Sequence, residues 1–503
     1  MADIKREIER KYESDDDSGG LPDLTGVAGV ATVADRGVAH LDATYYDTAD
    51  ERLAARGITL RRRTGGSDAG WHLKLPVAPG EREEIHAPLS DTVPDELAAL
   101  VRSRVRHAEL LPVVRLRSAR DVRDLLDARG RPLAEVGLDT VRAERLSGGV
   151  GDVRWTEIEV ELADGGDPAF LDKVEKRLRK TGLRPAAHSS KLARALAETA
   201  PERTRGPAPA TEPVSAGDHV LAYVREQRDA IVALDPAVRR DAEDSVHGMR
   251  VATRRLRSTL KSFRAVLDRA VTDPVGDELK WLAGVLGEDR DREVLTARLT
   301  ATLDDVPRDL VHGPVAERLR KWSGAEHGGA RGRLLAVLDS DRYLSLLDTV
   351  DTLLTDPPLR EAAGKKPDKV LAKAVRKDFR KVSALVAQAL DADPGTDRDV
   401  ALHEARKKAK RTRYAAEAAV PALGEPAKAV VKSMKALQSR LGEHQDSVMA
   451  RGALRELSAV AHAAGEDTFT YGLLHERERC RAADLEAALP AFWDGVKDAA
   501  TAL

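Results

Sequence analysis

Up to about residue 200 the chain is built of short segments in which apolar and polar residues alternate, such as GWHLKL, VVRLR, PLAEVGLD and WTEIEVEL. Period two is the mark of strands with one buried face. Beyond that point the texture changes. Long stretches such as HGMRVATRRLRSTLKSFRAVL and VLAKAVRKDFRKVSALVAQAL place their apolar residues at helical spacing. Between the two textures lies APERTRGPAPATEPVSAGD, with Pro201, Pro207, Pro209 and Pro213 in a background of small residues, the composition of a linker. The pattern predicts an α+β domain over 1–200, a Pro-rich linker over 201–217 and an all-α domain over 218–503.

The helical part contains an internal echo. His247, Arg250, Arg254, Arg255 and Arg257 match His403, Arg406, Lys410, Arg411 and Arg413, each pair 156 residues apart, and LGEDRD from Leu286 matches LGEHQD from Leu441 at an offset of 155. Two independent matches at nearly one offset predict a duplicated bundle, with halves over about 218–350 and 365–503.

Composition narrows the function classes. The 503 residues hold 82 Lys plus Arg and 84 Asp plus Glu, a formal net charge of −2. That balance argues against a uniformly basic nucleic-acid coat, and 3% aromatic residues are few for stacking on single strands. Cys480 is the only cysteine, which excludes a disulfide framework within the chain. No apolar run approaches the roughly 20 residues that span a bilayer, and the N-terminus MADIKREIERKYE has no apolar core of a signal peptide. The expectation is a cytoplasmic protein without a membrane partner. P-loop, HExxH and GxSxG motifs are absent, and the acidic run SDDDSGG reads as a solvated turn.

The charges within the predicted strands are sorted by face. Glu157, Glu159 and Glu161 share one face of WTEIEVEL while Ile158, Val160 and Leu162 share the other. Glu7, Glu9 and Lys11 fall together in the same way, as do Arg61 with Arg63, His72 with Lys74, Arg82 with Glu84, Arg115 with Arg117, and Glu135 with Asp139. An ordinary solvated sheet face mixes its polar residues, whereas most of these come as same-sign pairs, Arg82 with Glu84 and Lys11 beside Glu9 being the mixed ones. Carboxylates two residues apart lie about 7 Å from each other, close enough to share a hard cation, and arginines at that spacing suit successive phosphates.

These segments resemble the CYTH domain of triphosphate tunnel metalloenzymes. Glu7-Ile8-Glu9-Arg10-Lys11 is its ExExK signature, followed in order by YYDTAD around Asp47, LRRR, WHLKL, Arg82-x-Glu84, Arg115-x-Arg117, the Glu135–Asp139 strand, Glu157-x-Glu159 and SSK ending at Lys191. The resemblance implies an eight-stranded antiparallel β-barrel tunnel that binds triphosphate with Mg²⁺ or Mn²⁺. Asp139, Glu157 and Glu159 would hold metal. Glu7 and Glu9 would serve a second metal or the attacking water. Lys11, Arg61, Arg63, Lys74, Arg82, Arg115, Arg117 and Lys191 would bind phosphate, with Glu7, Glu9 and Lys11 closest to the chemistry.

In the helical part, His247, Arg250, Arg254, Arg257 and Lys261 stand at offsets 0, 3, 7, 10 and 14, a single helical stripe. His403, Arg406, Lys410 and Arg413 repeat the first four offsets, thickened by Lys407, Lys408 and Arg411, and Lys373, Arg376 and Arg380 form a shorter run. A solvated basic face is the bland reading. Like charges three and four apart repel, however, and few acids relieve them here. This half resembles the CHAD domain, a helical domain named for its histidines, through the two stripes and the two LGE segments. That resemblance implies two pseudo-symmetric helical bundles whose groove binds polyphosphate through His247, Arg250, Arg254, Arg255, Arg257 and Arg290 in the first half. In the second half the matching residues are His403, Arg406, Lys407, Lys410, Arg411 and Arg413, with Gln445 standing where Arg290 stands in the first, and Lys373, Arg376 and Arg380 are assigned to the same polyphosphate-binding groove.

Together the two resemblances imply a metal-dependent triphosphatase acting on inorganic triphosphate and binding long-chain polyphosphate, with association to polyphosphate granules. The competing readings are a non-catalytic polyphosphate-binding or targeting protein, and chemistry on thiamine triphosphate or another organic triphosphate, including ATP cyclisation. DNA binding by the basic helices is disfavoured by the neutral balance and the scarcity of aromatics.

Overall fold

The computed structural model describes residues 3–13, 20–147, 151–200, 212–287, 290–324 and 327–501. The SDDDSGG run up to residue 19 and most of the Pro-rich linker lie outside the described residues. The chain forms two compact units, Met1–Pro209 and Ala210–Leu503.

The first unit is a closed antiparallel barrel. Its strands are β1 (Asp3–Glu13), β2 (Thr32–Asp47), β3 (Thr59–Thr64), β4 (Gly70–Ala78), β5 (Glu81–Ala87), β6 (Leu111–Leu126), β7 (Pro132–Arg145) and β8 (Asp152–Leu162), with the two-residue β9 (Arg184–Pro185) appended to β1. The order is β5-β4-β3-β2-β6-β7-β8-β1, and pairing of β1 with β5 closes the ring. Two amphipathic helices cover the outside: α1 (Asp95–Val105) packs on Trp71, Leu73 and Ile85, and α2 (Ala169–Lys180) on Ile158, Val160 and Tyr12. Those strand residues alternate with the acids and bases named above, so the charged faces of β1, β4, β5 and β8 point inward.

The third helix, α3 (Lys191–Glu198), behaves differently. Its Leu192, Ala195 and Leu196 pack on Tyr45, Val114, Leu116, Val141 and Trp155, residues of the same strand parity as Asp139 and Glu157. One end of the barrel interior is therefore an apolar plug, and each fully buried leucine there contributes about 2 kcal/mol. Ser190 caps α3 by accepting from the Ala193 N–H, which sets Lys191 at the first helical position facing the acids.

The second unit consists of α4 (Ala216–Arg239), α5 (Ser245–Ser262), α6 (Arg269–Val285), α7 (Arg290–Asp304), α8 (Val315–Gly324), α9 (His327–Leu338), α10 (Asp341–Thr355), α11 (Pro367–Asp391), α12 (Thr396–Leu423), α13 (Glu425–Ala463), α14 (Phe469–Ala487) and α15 (Leu489–Thr501). Its two hydrophobic cores do not follow the sequence halves. One joins α4, α5, α6 and α10 to α11, α12 and the first part of α13, and the other joins α7 and α8 to the last part of α13 and to α14. The 39-residue α13 runs through both. LGEHQD lies within α13, whereas of the matching LGEDRD the first two residues, Leu286 and Gly287, follow the end of α6 at Val285 and Arg290 opens α7.

Candidate functional site

Inside the barrel, Asp139, Glu157 and Glu159 are buried and offer oxygens that all lie within 4.8 Å of one another. Register explains the grouping: Asp139 on β7 pairs with Glu157 on β8, and Glu159 stands opposite Gly137. Three cations converge on the trio. Lys191 Nζ lies 3.0 Å from Asp139, 2.8 Å from Glu157 and 2.5 Å from Glu159. Arg120 Nε and Nη2 donate to the two oxygens of Asp139 at 2.9 and 2.7 Å, and Nη2 also reaches Glu159. Lys11 bonds Glu159 and sits 3.2 Å from Glu9. Burial alone would raise the Glu159 carboxyl, but Lys11, Lys191 and Arg120 outweigh it and hold it well below the usual range.

Further along the interior a second group forms around Glu7 and Glu84. Lys74 bonds Glu7 and lies 3.5 Å from Glu84. His72 Nδ1 is 2.9 Å from Glu84, Arg61 Nη2 is 3.6 Å from it, and Arg82 Nε is 3.8 Å from Glu9. Burial pushes Glu7 up to about 7, with Lys74 opposing and the hydrogen bond to Glu84 adding to the rise. Glu84 is held low despite its burial by His72 and Lys74. Burial also pushes His72 down to about 4, which keeps its ring neutral near pH 7.

In the helical unit the two stripes meet. The Lys410 ammonium on α12 is pushed down to about 7 by burial and by Arg406, Arg254, Arg250 and Arg413, so cations of α5 and α12 crowd one place. Gly287 and Gly442 of the two LG segments lie against the guanidiniums of Arg250 and Arg406, where a side chain at Gly287 would come within 2.8 Å of Arg250. Asp446 is set among Arg406, Arg298 and Lys410. Burial and Lys407 lower His403, beside Gln445, while His247 is exposed. A second cluster of potential metal ligands, Asp399, His444 and Glu486, also occurs in this unit. There Arg451 and Arg398 already compensate the carboxylates.

The CYTH domain family matches residues 5–194 and the CHAD domain family matches residues 222–455. The chain belongs to both families. Two uncharacterized proteins of Mycobacterium tuberculosis, from strains CDC 1551 / Oshkosh and ATCC 25618 / H37Rv, are each 41% identical to it over 504 residues, spanning 96% of this chain and 95% of theirs. Among solved structures, PptA from Streptomyces chartreusis is similar at 21% identity and a TM-score of 0.46, covering 56% of this chain and 100% of that one. The CHAD domain from the plant Ricinus communis is similar at 26% identity and a TM-score of 0.39, covering 60% and 98%.

Within the CYTH domain the geometry brings together Glu7, Glu9, Lys11, Arg61, Lys74, Arg82, Glu84, Asp139, Glu157, Glu159 and Lys191. Arg63 shares the face of Arg61 and pairs with Asp68. Arg115 and Arg117 require a correction. Both reach Asp42, Arg115 Nη2 at 2.6 Å and Arg117 Nε at 3.5 Å, and they are 41% and 48% exposed against 19% for Arg120. They occupy the outer face of β6, because Val114 and Leu116 take the inner face against the α3 plug. Arg120 replaces them in the lining, and Gly137 leaves it room: a side chain there would lie 3.2 Å from Arg120 Nε. Asp47 of YYDTAD is buried and accepts from the N–H groups of Thr48, Leu53 and Ala54, a structural turn. Glu135 stays on the interior face with Glu161 opposite.

Within the CHAD domain four of the expected groove residues turn to carboxylates. Arg255 Nε is 3.0 Å from Glu417 and stacks over Tyr414, and Arg411 lies 3.3 Å from Asp378 and donates to Ser262 and the Lys261 carbonyl. Arg413 shares Glu417 at 3.2 Å, and Lys407 pairs with Glu404. Arg257 clusters with Lys261 and Arg411. Lys373, Arg376 and Arg380 of α11 line a separate pocket whose lining includes no residue of either stripe. The side chain of Arg290 lies outside the described residues.

Proposed function

We propose that the CYTH barrel hydrolyses inorganic triphosphate with Mg²⁺ or Mn²⁺, and that the stripe groove of the CHAD domain binds long-chain polyphosphate. The buried trio of Asp139, Glu157 and Glu159 carries the reading. Three buried carboxylates in mutual reach make a hard oxygen donor set, which fits a hard divalent cation, and a pure polyanion binder gains nothing from them. A bound divalent ion would supply neutralisation of the phosphate oxygens. Lys191, Arg120 and Lys11, which now hold the trio, together with Lys74, Arg61, Arg63 and Arg82, supply the positive charge that phosphoryl transfer demands. Glu7, titrating near neutrality, suits acceptance of a proton from an attacking water, and Glu84 and Lys74 fix its position. Cytoplasmic residence and association with polyphosphate granules belong to the same proposal.

The deciding experiment is a phosphate-release panel with inorganic triphosphate, thiamine triphosphate and ATP, each with Mg²⁺, with Mn²⁺ and with chelator. Metal-dependent release from inorganic triphosphate that drops by about a thousandfold or more in Glu157→Gln with Glu159→Gln is expected. Release unchanged in that double variant, or metal-independent release, would overturn the site. Turnover confined to thiamine triphosphate or ATP would keep the site and replace the substrate.

A further inference from the structure

The α11 pocket stands apart from both anion sites discussed so far. It has a volume of about 670 Å³ and is lined by Lys369, Lys373, Arg376, Phe379, Arg380 and Ser383 of α11 and by Lys497 of α15. That volume falls within the roughly 300–1,000 Å³ of small-molecule pockets. The α11 residues stand at offsets 0, 4, 7, 10, 11 and 14, which puts them on one helical face. No carboxylate is among the described residues lining it. Lys497 pairs with Asp494 at 2.8 Å, and Arg376 Nε lies 3.4 Å from the Ala372 carbonyl. Asp378, next to Phe379 in sequence, is buried on the opposite face of α11 with Ser262 and Arg411, and Asp368, next to Lys369, is exposed in the first turn of the helix. Four cations spaced by three and four along one helix repel one another, so an anion on this face relieves a real cost.

An inorganic anion would use only the rim. The floor is Phe379 with the aliphatic stems of its basic neighbours, and behind it Phe379 stacks on Trp493 at 5.7 Å with an interplanar angle of 15°. In a chain with only 5 Phe and 5 Trp, a stacked pair beneath a basic rim singles this pocket out. A flat ring system can lie on Phe379 while a phosphate tail reaches Arg376, Arg380 and Lys373. We infer that this pocket binds a nucleoside polyphosphate, base on Phe379 and phosphates on the arginines. The inference reassigns Lys373, Arg376 and Arg380 from the polyphosphate groove and does not depend on what the barrel cleaves.

Photolabelling of the full chain with 8-azido-ATP, followed by peptide mapping, tests it, because label in the barrel and label on α11 are read separately. The expected result is label on peptides from 367–391 or 489–498. It should fall at least tenfold in Arg376→Glu with Arg380→Glu and several-fold in Phe379→Leu, with the melting temperature of each variant unchanged. Unlabelled ATP should also compete for the α11 label at concentrations at least tenfold lower than inorganic triphosphate or long-chain polyphosphate. Label found only on barrel peptides overturns the inference. So does equal competition by inorganic triphosphate together with full labelling of Phe379→Leu, which would make the pocket a plain anion site. Should the charge-reversal variant melt early, Phe379→Leu and the competition ratio still decide.

Discussion

Lys191 in the barrel and Lys410 in the helical unit are both partly buried lysines among other charges, yet their ammonium groups are shifted in opposite directions. Lys191 in the barrel is raised because Asp139, Glu159 and Glu157 outweigh its burial, whereas Lys410 on α12 is lowered to about 7 by burial and four arginines. The barrel holds its positive charge against buried acids, so with the proposed metal on the carboxylates these cations would be free for phosphate. Around Lys410 the α5–α12 face instead gathers four arginines, with Asp446 beside Arg406 and Lys410 and Glu417 on Arg413, and the polyanion proposed for it would add to that countercharge. The first design suits a site where metal and phosphate enter together, and the second suits a polyanion that binds as it is.

The comparison breaks most sharply at Arg120. If the inner face of β6 serves the trio, Arg120→Ala should lower metal-dependent phosphate release by about a hundredfold, while Arg115→Ala, whose exposed pair with Asp42 is worth little, should stay within about twofold. Equal losses would return Arg115 to the lining. In the groove, Arg254→Ala with Lys410→Ala should weaken binding of long-chain polyphosphate by about tenfold or more and reduce its salt slope by about one, as read by titration at several salt concentrations. Because protonated Lys410 is the form an anion favours, wild-type affinity should fall by up to about thirtyfold from pH 6 to pH 8.5, and Lys410→Arg should flatten the profile. A pH-independent affinity in the wild type would remove Lys410 from the groove.

The smallest effect concerns stability. Glu7 has a folded pKa raised to about 7, so its stabilising contribution is complete below about pH 4.3 and is lost as pH rises through 7. Glu7→Gln should therefore melt at the wild-type temperature near pH 4 and higher than wild type at pH 8, by an amount worth about 1–3 kcal/mol, while losing activity. Coincident melting curves at pH 8 would show that Glu7 pays no such penalty for its charge.

Period-two alternation put Glu157 and Glu159 on one face without any knowledge of the tertiary fold, the CYTH resemblance added Asp139, and the register of β7 on β8 is what brings the three together. Arg120 was hidden by the same rule. In VVRLRSARD the charged pair Arg115–Arg117 and Arg120 lie on opposite faces, and a tunnel pictured as polar throughout selects the pair. The signal lay in Val114 and Leu116 preceding Arg120 on one face, a strand whose inner side is apolar at the plugged end and charged deeper in. Among the helices, the stripes were visible as spacing, but the diversion of Arg255 to Glu417 and of Arg411 to Asp378 depends on acids 162 and 33 positions away along the chain. The separation of Lys373, Arg376 and Arg380 into a pocket with Lys497 depends likewise on α15, which the spacing along α11 does not mention.

What the sequence by itself determined is local: the two textures and the linker between them, which residues share a face of each strand or helix, and the duplicated basic stripes. These follow from backbone periodicity, which fixes side-chain direction within one element. The tertiary structure alone decided which of two faces points into the barrel, which arginines are spent on buried carboxylates, and which helices share a core. Those outcomes turn on what packs against each face. For β6 it was α3, whose leucines fill one end of the barrel and force the arginine pair outward.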